Sequence, residues 1–308
     1  MRPSLRQIEY FVAVAERGAF GAAAHSLGVT QPSLSKQLAT MEDELGIQLF
    51  ERTSRKVKLT PLGRKLLNRG RAILAEVREF RATARGSLGL FGDRLAIGVL
   101  PSVGAYFMPI ANRRLHLRYP DLRLIVQEGA TFELLGLLQE GRIDAVIGTR
   151  TNEPGINSIS LFSETLWICA ASDDPLSSGQ GPVHLSDLAG QPLLSLSPEF
   201  RLAEIVERLA QLAGTFVSRD YQGGSLDAVR QMAVMGAGVA VLPSLYALAE
   251  AIRDPEFNIR RIEHEEAVHE IFLHWRASSV HADDFRQLAN DLIEVKQQIR
   301  AARSERFR

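Results

Sequence analysis

The sequence predicts an α/β chain in three parts: a helix-turn-helix module with a basic wing, one long helix, and a larger run of βαβ units. Three observations carry this reading. Short amphipathic helices separated by glycine fill the first 46 residues. An apolar seam with steps near 3.5 residues runs from Leu62 to Ala84. Beyond Gly92, short apolar runs alternate with helical segments up to the end of the 308-residue chain, which is long enough for two lobes.

In the first helix Leu5, Ile8, Phe11, Val12 and Ala15 recur at helical spacing, and Gly18 ends it. A second short helix follows from Phe20, where Ala22, Ala23 and Ala24 permit close approach and Gly28 supplies the stop. Thr30 is a good N-cap for a third helix. Pro32 is tolerated in its first turn, and Leu34, Leu38, Met41 and Leu45 make its apolar face. Together these make a helix-turn-helix. After Gly46, two short strands flank Thr53, Ser54, Arg55 and Lys56 as a basic wing. Thr60-Pro61 caps the long helix, whose seam holds Leu62, Leu66, Ile73, Val77, Phe80 and Ala84, with Gly70 at one seam position. Such a seam suits a second copy of itself; packing on its own domain is the other reading. The expected segments are 1–60, 61–92 with a hinge at Gly86–Gly92, and 93–308. In the last, strands are expected at Leu95–Leu100, Arg123–Glu128, Ala145–Gly148, Thr165–Ala170, Leu193–Leu196 and Val239–Leu242. Helices are expected near 104–119, 131–140, 201–213 and 225–236, which together suggest a mainly parallel sheet.

Lys and Arg number 36, as do Asp and Glu, yet residues 1–90 hold fifteen of the former against eight of the latter. A basic N-terminal part joined to an acidic remainder is expected when only the first meets a polyanion, although chance clustering gives the same count. The single cysteine, Cys169, cannot form an internal disulfide, which fits a reducing compartment. No apolar run approaches the roughly 20 residues that span a bilayer, and the N-terminus lacks a secretory pattern. A cytoplasmic protein without a membrane partner is expected. His264, His269, His274 and His281 lack the spacing of a metal site, and no nucleophile elbow or phosphate loop is present. Neither enzyme activity nor a metal or cofactor is therefore expected.

Leu5-x-x-Ile8-x-Tyr10-Phe11, Ala23-Ala24-x-x-Leu27, Thr30-Gln31-Pro32-Ser33-Leu34-Ser35, Leu49-Phe50-Glu51-Arg52 and Leu59-Thr60-x-x-Gly63 resemble the winged helix-turn-helix of LysR-type transcription regulators. The resemblance implies a two-lobed effector domain like periplasmic binding proteins, with lobe I near 93–164 and 269–308 and lobe II near 165–268. It also implies a homodimer through the long helices, a homotetramer through the effector domains, double-stranded operator DNA as target, and contact with RNA polymerase. Glu51–Val57, Leu100–Gly104 and Glu128–Thr131 are most similar to the peroxide-sensing branch. That branch uses two cysteines, the first after a histidine. Here Phe200 and Arg201 stand where the resemblance places that pair, and no cysteine follows. Peroxide attacks a thiolate, so the two-cysteine switch is not available and another small-molecule effector is expected.

By the same resemblance Gln31, Pro32, Ser33 and Lys36 face bases, with Ser35 on the same turns. Arg52, Thr53, Arg55 and Lys56 hold phosphate or enter the minor groove from the wing. Ala19-Phe20-Gly21 departs from the Ser-Phe-Thr/Ser of many members and lacks their hydroxyls. In open α/β folds, ligands gather at the carboxyl ends of strands, where Ser102, Val103, Thr131, Gly224 and Ser225 fall. A small carboxylate clamped by Ser102, Thr131 and Arg201, beside Phe200, is one reading. The other makes Ser102 and Thr131 ordinary caps and Arg201 a surface residue paired with Glu204 or Glu199. Cys169, in a strand-like run, reads as an inert buried thiol. A cytosolic solute-binding or enzyme domain on the same two-lobed fold is the alternative function.

Overall fold

Local capping sets the first three helices. The structure, a computed structural model, describes residues 3–51, 57–84, 91, 94–254 and 257–306, with backbone alone at 78, 79, 81–84 and 302–306. Helix α1 (Leu5–Arg17) opens on a capping box between Ser4 and Gln7. Helices α2 (Phe20–Ser26) and α3 (Gln31–Leu45) follow, and the Thr30 hydroxyl accepts from the Ser33 N–H at 3.4 Å. Gly18 and Gly46 stop α1 and α3 at φ 66° and 65°, values that disfavour residues with a Cβ. Phe11, Val14, Ala23, Ala24, Leu34 and Leu38 are buried in one core with Phe50, whose ring meets Phe11 and Phe20 edge-on. Strands β1 (Phe50–Glu51) and β2 (Lys58–Leu59) pair antiparallel as the base of the wing. Glu42 Oε1 accepts from the Leu49 and Phe50 N–H groups at 2.6 and 3.3 Å, tying α3 to β1.

The Thr60 hydroxyl starts α4 (Pro61–Ala84): it accepts from the Gly63 N–H at 2.9 Å and donates to the Gln48 carbonyl at 2.8 Å. Leu67 and Gly70 are buried, and a Cβ on Gly70 would stand 3.1 Å from a Val12 methyl and 3.3 Å from an Ile8 methyl. Gly70 thus belongs to the face packed on α1. Its expected place in the self-pairing seam is corrected, because its Cα packs on α1, where a side chain would press on the Val12 and Ile8 methyls. Leu62, Ile73 and Phe80 remain exposed, and Leu66 and Val77 are half-buried.

The chain divides into two compact units, residues 1–86 with 136–142 and residues 87–135 with 143–308. The second has two hydrophobic cores. Lobe I contains β3 (Arg94–Val99), α5 (Pro101–Tyr106), α6 (Met108–Arg118), β4 (Arg123–Glu128), α7 (Thr131–Gln139) and β5 (Ala145–Thr149). The single helix expected near 104–119 is broken at Phe107; Pro109 has no N–H with which to continue the ladder of α5. Lobe II contains α8 (Pro175–Ser178), β7 (Leu193–Leu194), α9 (Arg201–Ala213), α10 (Leu226–Val234), β8 (Val239–Pro243), α11 (Ser244–Arg253) and β9 (Arg260–Arg261). Two long strands, β6 (Ile156–Cys169) and β10 (Val268–Arg276), join the lobes, and α12 (Ala282–Arg306) returns to lobe I.

The main sheet runs β4-β3-β5-β10-β6-β8-β7. Only β3–β4, β3–β5 and β7–β8 pair parallel in it. The expectation of a mainly parallel sheet is corrected: β6 and β10 are antiparallel to their neighbours and need no crossover helix between them. Strand β6 pairs with β10 over Ile156–Thr165 and with β8 over Leu166–Cys169, so it passes from one lobe to the other in mid-strand. Its first half is interrupted by polar residues (Asn157, Ser158, Ser160), which hid it among the short apolar runs.

Candidate functional site

The first turns of α3 present Gln31, Pro32, Ser33 and Lys36 to solvent, with Ser35 half-buried, while Leu34 and Leu38 anchor the helix beneath. Amide and ammonium groups of this kind hydrogen-bond base edges in a major groove. A Cβ on Gly21 would lie 3.3 Å from Gln31 Oε1, so the small residue in the Ala19-Phe20-Gly21 departure makes room for that amide. Wing residues Arg52, Thr53, Arg55 and Lys56 lie outside the described residues.

Two adjoining cavities lie between the lobes. One, of about 20 Å³, is lined by Ser102 and Pro101 of lobe I and by Leu196, Phe200, Arg201 and Leu226 of lobe II. It has room for roughly one water-sized molecule. The other, about 530 Å³, shares Arg201 and His269 with it and adds Thr149, Arg150, Arg208 and Glu266. That volume lies within the range of ordinary small-molecule sites.

Of the residues singled out from sequence, Ser102, Phe200 and Arg201 come together at the small cavity. Thr131 lines neither cavity; its hydroxyl accepts from the Thr149 N–H at 3.0 Å and from the Thr149 hydroxyl at 3.1 Å. Val103 is fully buried in lobe I. The Ser225 hydroxyl caps α10 by accepting from the Ala228 N–H at 3.2 Å, and Gly224 lies against the Phe200 ring. Arg201, at the first turn of α9, pairs with Glu204.

Sequence reading missed His269 and Glu164 as parts of this place. They are cross-strand partners on β10 and β6, both buried, with His269 Nδ1 3.5 Å from Glu164 Oε2. Glu164 Oε1 accepts from the Leu245 N–H at 2.7 Å, at the start of α11. Burial alone would push this carboxyl up, but the His269 ring, Lys296 and the Leu245 N–H hold it below the usual carboxylate range. No local signal joins the two residues, because only the register of two distant strands does. Cys169 is buried on β6, and desolvation pushes its thiol up to about 12, so it is protonated near neutral pH. Among the described residues no group of three or more His, Cys, Asp or Glu could hold a metal ion, and no helix is long and apolar enough to cross a membrane.

Residues 5–64 match the bacterial regulatory helix-turn-helix protein, lysR family, and residues 89–296 match the LysR substrate binding domain. The chain belongs to the LysR family. This LysR-family chain is 35% identical over 252 residues, 82% of either chain, to the DNA-binding transcriptional dual regulator OxyR of Escherichia coli K12. Its fold is similar to a full-length OxyR cysteine-to-aspartate variant from Pseudomonas aeruginosa, with TM-score 0.78, 26% identity and 95% of each chain covered. A hydrogen-peroxide-bound OxyR cysteine-to-serine mutant from Corynebacterium glutamicum gives TM-score 0.65 and 32% identity, over 99% of this chain and 96% of that one. The LysR-family protein is thus a DNA-binding transcription regulator with a substrate-binding domain, not an enzyme, and its relatives are OxyR-like.

Proposed function

We propose that this LysR-family regulator answers to a small anionic effector, a carboxylate, held between the two lobes, and that peroxide is not its signal. The observation that supports this most is Arg201, which borders both inter-lobe cavities in a chain whose one cysteine is buried and protonated. A carboxylate there would compete with Glu204 for a planar, bidentate donor. Ser102 would add its hydroxyl and Phe200 an apolar wall. Occupancy would favour one arrangement of the lobes over another. On the DNA side, Gln31, Pro32, Ser33, Ser35 and Lys36 read bases, and Arg52, Thr53, Arg55 and Lys56 hold phosphate. Leu62, Leu66, Ile73, Val77 and Phe80 join two copies, a reading supported by the exposed stripe on α4. Pairs of dimers meet through the effector domains, and the assembly contacts RNA polymerase in the cytoplasm.

The test is thermal-shift screening of the full chain against small carboxylates, amino acids and neutral analogues. A carboxylate should raise the melting temperature, since a ligand that binds only the folded state stabilises it, and Arg201→Ala should abolish the rise. Stabilisation by neutral molecules alone, or a rise untouched by Arg201→Ala, would refute the anion reading.

A further inference from the structure

The larger inter-lobe cavity carries charges of both signs, and most of them are already paired. Arg150, Arg201 and Arg208 line it together with Glu204, Glu207, Glu266 and Glu270. Arg208 forks onto Glu266 through Nε and Nη2, and Arg201 pairs with Glu204. Glu207 accepts from Arg219 Nη2 at 3.1 Å. These pairs leave one cation and one carboxylate. Among the described residues Glu270 has no cation or side-chain hydrogen bond, and the Arg150 guanidinium lies 6.0 Å from the Phe272 ring centroid rather than on a carboxylate. The β5–β10 register sets Ile271 against Thr149, and one step further it sets Glu270 opposite Arg150. Both unengaged charges are exposed at the cavity. His269 adds a polar edge: its buried Nδ1 faces Glu164 Oε2 at 3.5 Å, and its Nε2 has no hydrogen bond among the described residues. The Glu164 carboxylate favours the tautomer with the hydrogen on Nδ1, which leaves Nε2 an acceptor.

We propose that the effector of this cleft is a zwitterionic amino acid rather than a plain carboxylate, an inference that rests on the carboxylate reading above. A plain carboxylate that took Arg201 from Glu204 would bring in one negative charge and free another beside the unpaired Glu270. An amino acid brings its own cation. Its carboxylate replaces Glu204 on Arg201, its ammonium meets the released Glu204 and Glu270, and the total charge of the cleft is unchanged. An ammonium has three N–H donors, and Glu204, Glu270 and His269 Nε2 are three acceptors on residues that line the cavity. Glu270 is the residue that selects the zwitterion. It has no partner to give up, whereas drawing Glu207 or Glu266 to the ligand would break an existing pair.

Calorimetric titration of the full chain with the common amino acids, their deaminated acids and their methyl esters tests this. At least one amino acid should bind, about tenfold or more tightly than its deaminated acid and its methyl ester, as loss of one charged hydrogen bond implies. Glu270→Gln, at an exposed side chain, should weaken that amino acid about tenfold and leave the deaminated acid unchanged. Arg201→Ala should weaken both. A change in selectivity is a readout that partial unfolding does not mimic, because misfolded protein loses both ligands alike. A deaminated acid that binds as tightly as its amino acid, or a Glu270→Gln variant that weakens both or neither, overturns the zwitterion and leaves the carboxylate reading standing. A methyl ester as tight as the amino acid, binding untouched by Arg201→Ala, or no binding by any amino acid or acid overturns both.

Discussion

Replacing Gly63 by alanine should loosen the DNA-binding unit while leaving the effector unit intact. A Cβ at position 63 would lie 2.2 Å from the Leu49 carbonyl oxygen and 3.1 Å from a Leu59 methyl. The Leu49 oxygen cannot swing aside, because it already accepts from the Thr60 N–H at 3.0 Å. Relief requires the start of α4 to retreat from the wing, which stretches that bond and the Thr60 hydroxyl bond to the Gln48 carbonyl at 2.8 Å. Forcing in a methyl costs about 1–3 kcal/mol. Two weakened hydrogen bonds add about 1–2 kcal/mol. Better helix propensity returns about 1 kcal/mol. The net destabilisation should be about 1–4 kcal/mol, a large share of the margin of a small domain. Both tryptophans lie in the effector unit, so their emission follows that unit alone in a urea titration, while far-UV circular dichroism follows both. Gly63→Ala should move the dichroism transition to lower urea and leave the emission transition in place. As a control, Gly136→Ala at an exposed position of α7, where no atom lies within 4 Å of the new methyl, should stabilise by about 1 kcal/mol. A Gly63→Ala protein within about 0.5 kcal/mol of wild type, the scatter of ordinary surface changes, would refute the close-approach argument.

Three further outcomes follow from the geometry. Buried His274 shares a hydrogen bond with Ser158 Oγ at 2.7 Å and donates from Nε2 to the Thr149 carbonyl at 2.9 Å, and desolvation lowers its pKa to about 4. Because the unfolded chain then takes up the proton first, stability of the effector unit should fall by about 3 kcal/mol as pH drops from about 6.5 to about 4, and a urea midpoint flat over that window would contradict this. Cys169 should react with a disulfide reagent in urea but not in the native protein at neutral pH, and fast native labelling would show that its thiol is neither buried nor protonated. Phe80→Asp combined with Ile73→Asp should lower the mass measured by analytical ultracentrifugation, since both apolar side chains are exposed on α4; an unchanged mass would move the self-association elsewhere.

The N-terminal unit was legible in sequence because its determinants are local. Ser4, Gly18, Thr30, Gly46 and Thr60 each cap an element within a few residues of themselves. Gly70 misled for the same reason: spacing alone gives a helix face but not which neighbour covers it, and α1 does so from nearly 60 residues away. The cleft was half legible. Ser102, Phe200 and Arg201 sit at strand ends and helix starts that the alternation of elements reveals. His269 and Glu164 meet only through a β6–β10 register spanning 105 positions, and no short pattern encodes it. Thr131 looked like a free hydroxyl at a helix start, but Thr149 from a neighbouring strand had already engaged it.

Strand β6 leaves lobe I in mid-length, and β10 brings the chain back, so lobe II is in effect inserted within lobe I. This arrangement sets an order of completion during synthesis. All of lobe II, to β9, has emerged from the ribosome while lobe I still lacks β10 and α12. Until then the inner faces of β5 and β6 wait for Leu273 and Trp275, and the rest of that core waits for Phe285, Leu288, Leu292 and Val295. A nascent chain paused near residue 265 would therefore hold one finished lobe and one open apolar face, a natural point for chaperone engagement. Loss of α12 would not trim the molecule but leave the lobe I core without Phe285, Leu288, Leu292 and Val295.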